Sequence, residues 1–348
     1  MNRLGMVLTL PALAALLTLP LTVVAQAEAP AAAEPEPAEE IVVTGVLPGP
    51  PLWKVYNGDN VLWIFGYLTP IPQHMQWQSD RVEKVLANAQ EYLPMPTTEV
   101  SVSAWVKYNP INIVRGLRLA SRLSKNPDDK TLADVLTPEL YQRFAALKTK
   151  YFPRDDDIER TRPLRAGSTM SAAILKKENL AQANDILKRI SRIAGKNRKL
   201  KTTEVEIKLK LEGGYSTIAE RVETLANSIT PEQEQACFEW QVARMETDLE
   251  AMKSRANSWA EGYVDEFRGI KLQRGEDDPC FNLLLGSSEG ETVADVLKRQ
   301  QLQWLDAAEH ALKTNASTFA VLNIRDLLSK DGMLAKLQAR GYQVQAPH

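Results

Sequence analysis

Residues 51–69, PLWKVYNGDNVLWIFGYLT, constrain the fold of this chain more than any other stretch. Two runs rich in aromatic and branched residues, Leu52 to Tyr56 and Val61 to Phe65, flank the turn formers Asn57-Gly58-Asp59-Asn60. The pattern predicts a β-hairpin: pleated strands accommodate such side chains, and Asn, Gly and Asp accept the reversal. Val61 to Phe65 is apolar without interruption, which calls for burial on both faces and puts the second strand inside a sheet. Gly66 follows, where the backbone can turn and a site can lie at the strand end.

Upstream, Arg3, an apolar run from Met6 to Val24 and Ala25-Gln26-Ala27 read as a secretory signal peptide over residues 1–27, with cleavage at Ala25 or Ala27. Pro11 and Pro20 interrupt the run and no stop-transfer pattern follows, so no transmembrane span is expected after cleavage. Residues 28–50 open with EAPAAAEPEPAEE, an Ala/Pro/Glu sequence without apolar periodicity, and read as an extended linker. Within it lies Glu40-Ile41-Val42-Val43-Thr44-Gly45, a β-prone hexamer that resembles the energy-coupling (TonB) box of outer-membrane receptors. A segment of that kind would add a strand to the sheet of an envelope partner. The plainer reading, an edge strand or a lead-in to the fold, is favoured by the brevity of the match.

Residues 51–348 are expected to form one α/β domain with a central mixed sheet, the hairpin and the C-terminal strands side by side, and a large helical middle section. A net charge of −2 gives no electrostatic reason to expect nucleic acid. Cys237 and Cys280 are the two cysteines, and in an exported chain a disulfide between them is favoured over two free thiols. The three histidines, His74, His310 and His348, make no zinc-spaced cluster with them.

Helices are expected from Asp80, with Glu83 in a capping-box position, from Asn109-Pro110, and from Thr137-Pro138 with a Leu140, Phe144, Leu147, Tyr151 stripe. Another is expected over residues 168–193, ending at Gly195. The longest should run from Thr230-Pro231 to Gly262, its Val242, Met245, Leu249, Met252, Ala256, Trp259 stripe packing within the chain against a helix over residues 292–313. Val100 to Trp105, Val205 to Leu211, Thr318 to Leu322 and Tyr342 to Val344 read as strands, and Leu334 to Ala339 as a short helix ending at Gly341. Lys188, Arg189, Arg192, Lys196, Arg198, Lys199 and Lys201 form an unbroken basic series, read as a solvated helix end, since no aromatic residues interleave to stack on bases.

PLWKV and LWIFG near the start, and STFAVLNIRDLLSKDGMLAKLQARGYQV at the end, resemble the TraB/GumN family, to which the Tiki proteases are related. TLADVLTPELYQRFAALKTKY, DIERTRPLRAG and ACFEWQVARMETDLEAMKSRANSWAEG resemble it in the middle, so the likeness spans nearly the whole chain after the leader. The resemblance implies that the first and last motifs lie adjacent in the sheet. It also implies two motif histidines, in Gly-Thr-x-His and Gly-x-x-His, as the proposed metal-site positions. Here the first motif reads Gly66-Tyr67-Leu68-Thr69, and the second, aligned through Asp331-Gly332, reads Asn323-Ile324-Arg325-Asp326. A hydroxyl and a carboxylate in place of two imidazoles should cost much of the affinity for a borderline divalent metal.

Two functional expectations follow. The first is a periplasmic or secreted protein of the cell envelope, catalytically degenerate at Gly66, Thr69 and Asp326, with no cofactor, acting as a binding or accessory protein. The second is a surviving metal-dependent peptidase or hydrolase using Mn, Co or Zn, with Asp326, Glu91 or Glu99, and a relocated His74 as its groups. No Gly-x-Ser-x-Gly elbow, P-loop or Gly-x-Gly-x-x-Gly occurs to suggest other chemistry.

Overall fold

The computed structural model describes residues 49–181, 185–267, 278–285 and 292–347. The expected signal peptide and the Glu40 to Gly45 hexamer lie outside them. Among the described residues there are ten strands: β1 (Leu52–Asn57), β2 (Asn60–Tyr67), β3 (Ile71–Pro72), β4 (Glu91–Leu93), β5 (Thr97–Val102), β6 (Leu180–Ala181), β7 (Lys201–Thr202), β8 (Glu206–Leu211), β9 (Ser317–Asn323) and β10 (Gln343–Gln345). Six of them make a mixed sheet in the order β10-β1-β2-β9-β4-β7. The hairpin is antiparallel, with Trp53 opposite Ile64, and its strands run on to Asn57 and Asn60, so that Gly58-Asp59 alone forms the turn. Gly58 takes φ +58°, a conformation glycine reaches without steric cost. Both flanking asparagine amides donate to the Leu312 carbonyl, at 3.1 and 2.9 Å, which ties the turn to the helix behind it.

β2 runs parallel to β9, bringing the first and last motifs together as expected. Leu62, Ile64, Phe65 and Phe319 to Leu322 are all buried, consistent with central strands covered on both faces. The helix Val293–Thr314, capped by a Thr292–Asp295 capping box, buries Trp304, Leu305, Ala308, Ala311 and Leu312 in the same core. A second core joins the helices Pro138–Tyr151, Pro163–Lys177 and Pro231–Thr247. Leu140, Phe144, Leu147 and Tyr151 are buried there, so their stripe is packing. Cys237 and Cys280 form the expected disulfide.

Several local expectations change. The helix from Thr230 is two helices, Pro231–Thr247 and Leu249–Glu261, meeting at Asp248. Gly262 ends the second at φ +85°, as expected of a left-handed cap. Their stripe is intramolecular, yet Val242, Met245, Leu249 and Met252 face the Pro138–Tyr151 and Pro163–Lys177 helices rather than the helix at 293–314. Residues 168–193 are not one helix: Asn179 adopts φ +57°, stopping the first helix at Lys177, and a second starts at Asp185 and runs through Gly195 to Lys196. Trp105 belongs to the helix Ala104–Tyr108 rather than to β5. Ser79, not Asp80, is the N-cap of the Asp80–Asn88 helix, and its hydroxyl donates to Glu83 Oε1 at 2.8 Å.

Candidate functional site

The carboxyl ends of β2 and β9 are neighbours, with Gly66 opposite Leu322 and Tyr67 opposite Asn323. In open α/β sheets such ends are where ligands bind. Gly66 is held by its surroundings. Its N–H donates to the Pro51 carbonyl at 3.3 Å, and its own carbonyl accepts the indole N–H of buried Trp259 at 2.7 Å. A Cβ at this position would stand 2.4 Å from Cζ3 of Trp53, so the absence of a side chain is a packing requirement. The aromatic rings close over the same place: Trp259 meets Phe65 edge-on at 5.8 Å, Trp77 lies 6.2 Å from Trp259, and the Arg189 guanidinium sits 5.3 Å from the Trp77 ring.

After Gly66 the chain passes Thr69, whose peptide bond to Pro70 is cis, and enters β3. On the neighbouring strand, Asn323 caps the helix Ile324–Leu328 through its Oδ1, which accepts from Arg325 N at 2.9 Å. That cap fixes the start of the helix and sets Asp326, half-buried, in its first turn. Gly66, Thr69 and Asp326 are thus carried by two adjoining strand ends.

Glu91 lies away from these strand ends. Glu91 pairs in register with Thr318 at the opposite end of β9, buried to 2% exposure, and serves the fold. It accepts from Lys201 Nζ at 2.9 Å and Asn315 Nδ2 at 2.6 Å, and also from the Thr203 hydroxyl. Burial raises its pKa, but these hydrogen bonds together outweigh burial and leave the carboxyl below its ordinary value. Glu99 is exposed on β5, and His74 is exposed in the loop after β3.

Arg255 stands one turn before Trp259 on the helix Leu249–Glu261. Burial lowers its pKa, Asp248 raises it and Arg325 lowers it again. Arg244 is lowered by burial as well, raised by Asp248 and lowered by Arg255. The Asp248 carboxylate acts on both Arg244 and Arg255. Among the described residues no three His, Cys, Asp or Glu side chains gather in a way that could hold a metal ion. A threonine hydroxyl and one aspartate do not supply the imidazole donors of the divalent metal that the family resemblance implies.

The arginines were not foreseen, and little in the sequence could have marked them: Arg255 and Arg325 are 70 positions apart and flank ordinary helical patterns. The basic series at 188–201 is spent partly on the fold, since Arg189 donates to Ser79 at 2.6 Å and pairs with Glu83 at 3.0 Å, and Lys201 pairs with Glu91.

Residues 51–346 match the family model described as the TraB/PrgY/gumN family. No curated protein and no solved structure matches the chain.

Proposed function

The chain belongs to the TraB/PrgY/gumN family, and on that premise we propose that it is an exported cell-envelope protein that has lost metal-dependent hydrolysis and works by binding. One observation carries the reading: the two strand-end positions where the family resemblance implies histidines hold Thr69 and Asp326, and among the described residues no three His, Cys, Asp or Glu side chains could hold a metal ion. Arg255, half-buried one turn before the Trp259 whose indole binds the Gly66 carbonyl, is the positive charge proposed to oppose a divalent cation there and to favour an anion. A carboxylate or phosphate group is therefore the ligand chemistry proposed for this end of the sheet. Export rests on the leader at residues 1–27, and Glu40 to Gly45 is proposed as the strand that meets an envelope partner. Deleting that hexamer should weaken binding to such a partner, and unchanged binding removes the docking role.

The ligand claim is tested by thermal unfolding of the full chain in increasing inorganic phosphate at constant ionic strength. Binding to the folded state raises Tm with ligand concentration. The wild type should show that rise and Arg255→Gln should lack it. Equal curves for the two proteins would refute the assignment.

A further inference from the structure

The helix Pro110–Leu123, PINIVRGLRLASRL, and the short helix Ala104–Tyr108 before it bury almost nothing. Asn112, Gly116, Leu119 and Leu123 are the half-covered residues of the longer helix, and they recur at the spacing of one helical face. That face rests on the helix Tyr215–Ser228, where a Cβ on Gly116 would lie 3.9 Å from the Tyr215 ring. Large apolar side chains stand in the open on the two helices: Trp105 is 76% exposed, Tyr108 69%, Ile111 60% and Leu117 68%. Contiguous apolar surface of this kind marks an interaction site.

Charge identifies the occupant. Between Ser101 and Asn126 there are five basic residues, Lys107, Arg115, Arg118, Arg122 and Lys125, and no acidic one. At roughly 100° per residue, Ile113, Val114 and Leu117 share one arc of the outward half of the helix, and Arg115, Arg118 and Arg122 share the adjoining arc with Ile111 among them. Arg122 pairs with Glu223 of the helix Tyr215–Ser228, which leaves Arg115 and Arg118 as the outward charges. An apolar arc with aromatic residues at one end, bordered by an arginine arc, is the pattern of a helix lying in the plane of a membrane interface. A second copy of this chain fits less well, because a two-fold contact would set the arginine arc against itself. Among the described residues no helix is long and apolar enough to cross a membrane, so this one would lie on the surface. We propose that residues 104–123 form a docking surface for an anionic lipid bilayer, with Trp105, Tyr108, Ile113 and Leu117 entering the interface and Arg115 and Arg118 meeting the lipid headgroups.

The test is co-sedimentation of the full chain with phosphatidylglycerol/phosphatidylcholine vesicles and with vesicles of phosphatidylcholine alone. The protein should partition to the anionic vesicles and release at high salt. Each basic residue at an anionic surface contributes on the order of a fivefold change in partitioning, so the Arg115→Ala/Arg118→Ala pair should bind about 25-fold more weakly. Leu117→Asp should abolish binding while circular dichroism stays unchanged, since all three side chains are exposed. Binding that ignores vesicle charge, or that survives all of these substitutions and so belongs to another segment such as residues 6–24, overturns the proposal. A vesicle-independent dimer that Leu117→Asp dissociates also overturns it and makes the face a contact between copies.

Discussion

Substituting Gly66 by alanine tests whether the strand end is a packed junction. A Cβ there would lie 2.4 Å from Cζ3 and 3.1 Å from Cη2 of Trp53, well inside the ~3.5–4.0 Å of a comfortable carbon contact. Trp53 is 3% exposed and its ring is rigid, while Gly66 is pinned by the Trp259 indole and by strands on both sides, so neither partner yields easily. Overpacking of this kind costs about 1–3 kcal/mol. In urea unfolding Gly66→Ala should lower the extrapolated stability by that amount, moving the midpoint down by the loss divided by an unchanged slope, and should lower Tm by roughly 2 °C or more per kcal/mol. Trp53→Leu destabilises by itself, but it removes the atoms that the new methyl meets. The double variant should therefore be more stable than the sum of the single losses by about 1 kcal/mol or more. A neutral Gly66→Ala, or strictly additive losses, would refute the contact as the cause.

Three further outcomes follow from the packing and the charges. Arg162 Nε lies 2.8 Å from Glu234, whose carboxyl is 5% exposed and pushed up in pKa by burial, so Arg162→Ala should cost about 3–5 kcal/mol at neutral pH. A group with a raised folded pKa loses stability as pH rises, so in denaturant titrations the deficit of that variant should shrink toward acid pH. Glu91 has the opposite sign: its lowered pKa contributes stability above the ordinary value of 4.5 that is lost as pH falls below it, and Glu91→Gln should flatten that acid limb. Reducing the disulfide, whose cysteines are 43 positions apart, should cost about 4 kcal/mol in the chain-entropy picture, read as a drop in the urea midpoint.

The sequence carried the hairpin well because its signal is local: branched and aromatic runs, a two-residue turn and an unbroken apolar strand all demand the same structure. The pairing of β2 with β9 is not local, and it was reachable only through the family likeness of the two motifs. Short parallel strands such as Glu91–Leu93 and Lys201–Thr202 leave no periodicity to read. Helix breaks were missed where no Gly or Pro announces them: Asp248 ends one helix and caps the next, and Asn179 turns left-handed, which asparagine tolerates better than most residues. In the helix Pro110–Leu123 the start was legible from Asn109-Pro110, but an amphipathic pattern does not reveal whether its apolar arc is covered by the protein or left outside. At the candidate site, Gly66, Thr69 and Asp326 could be named in advance, whereas the arginines are assembled from separate helices by tertiary packing.

The account stands on the strand ends receiving an anion and not a divalent metal. Elemental analysis of the purified full chain, equilibrated with excess Mn2+, Co2+ or Zn2+ and then desalted, measures this most directly. The expected result is far less than one ion per chain, unchanged by Asp326→Asn. One tightly held ion per chain that Asp326→Asn releases would contradict it.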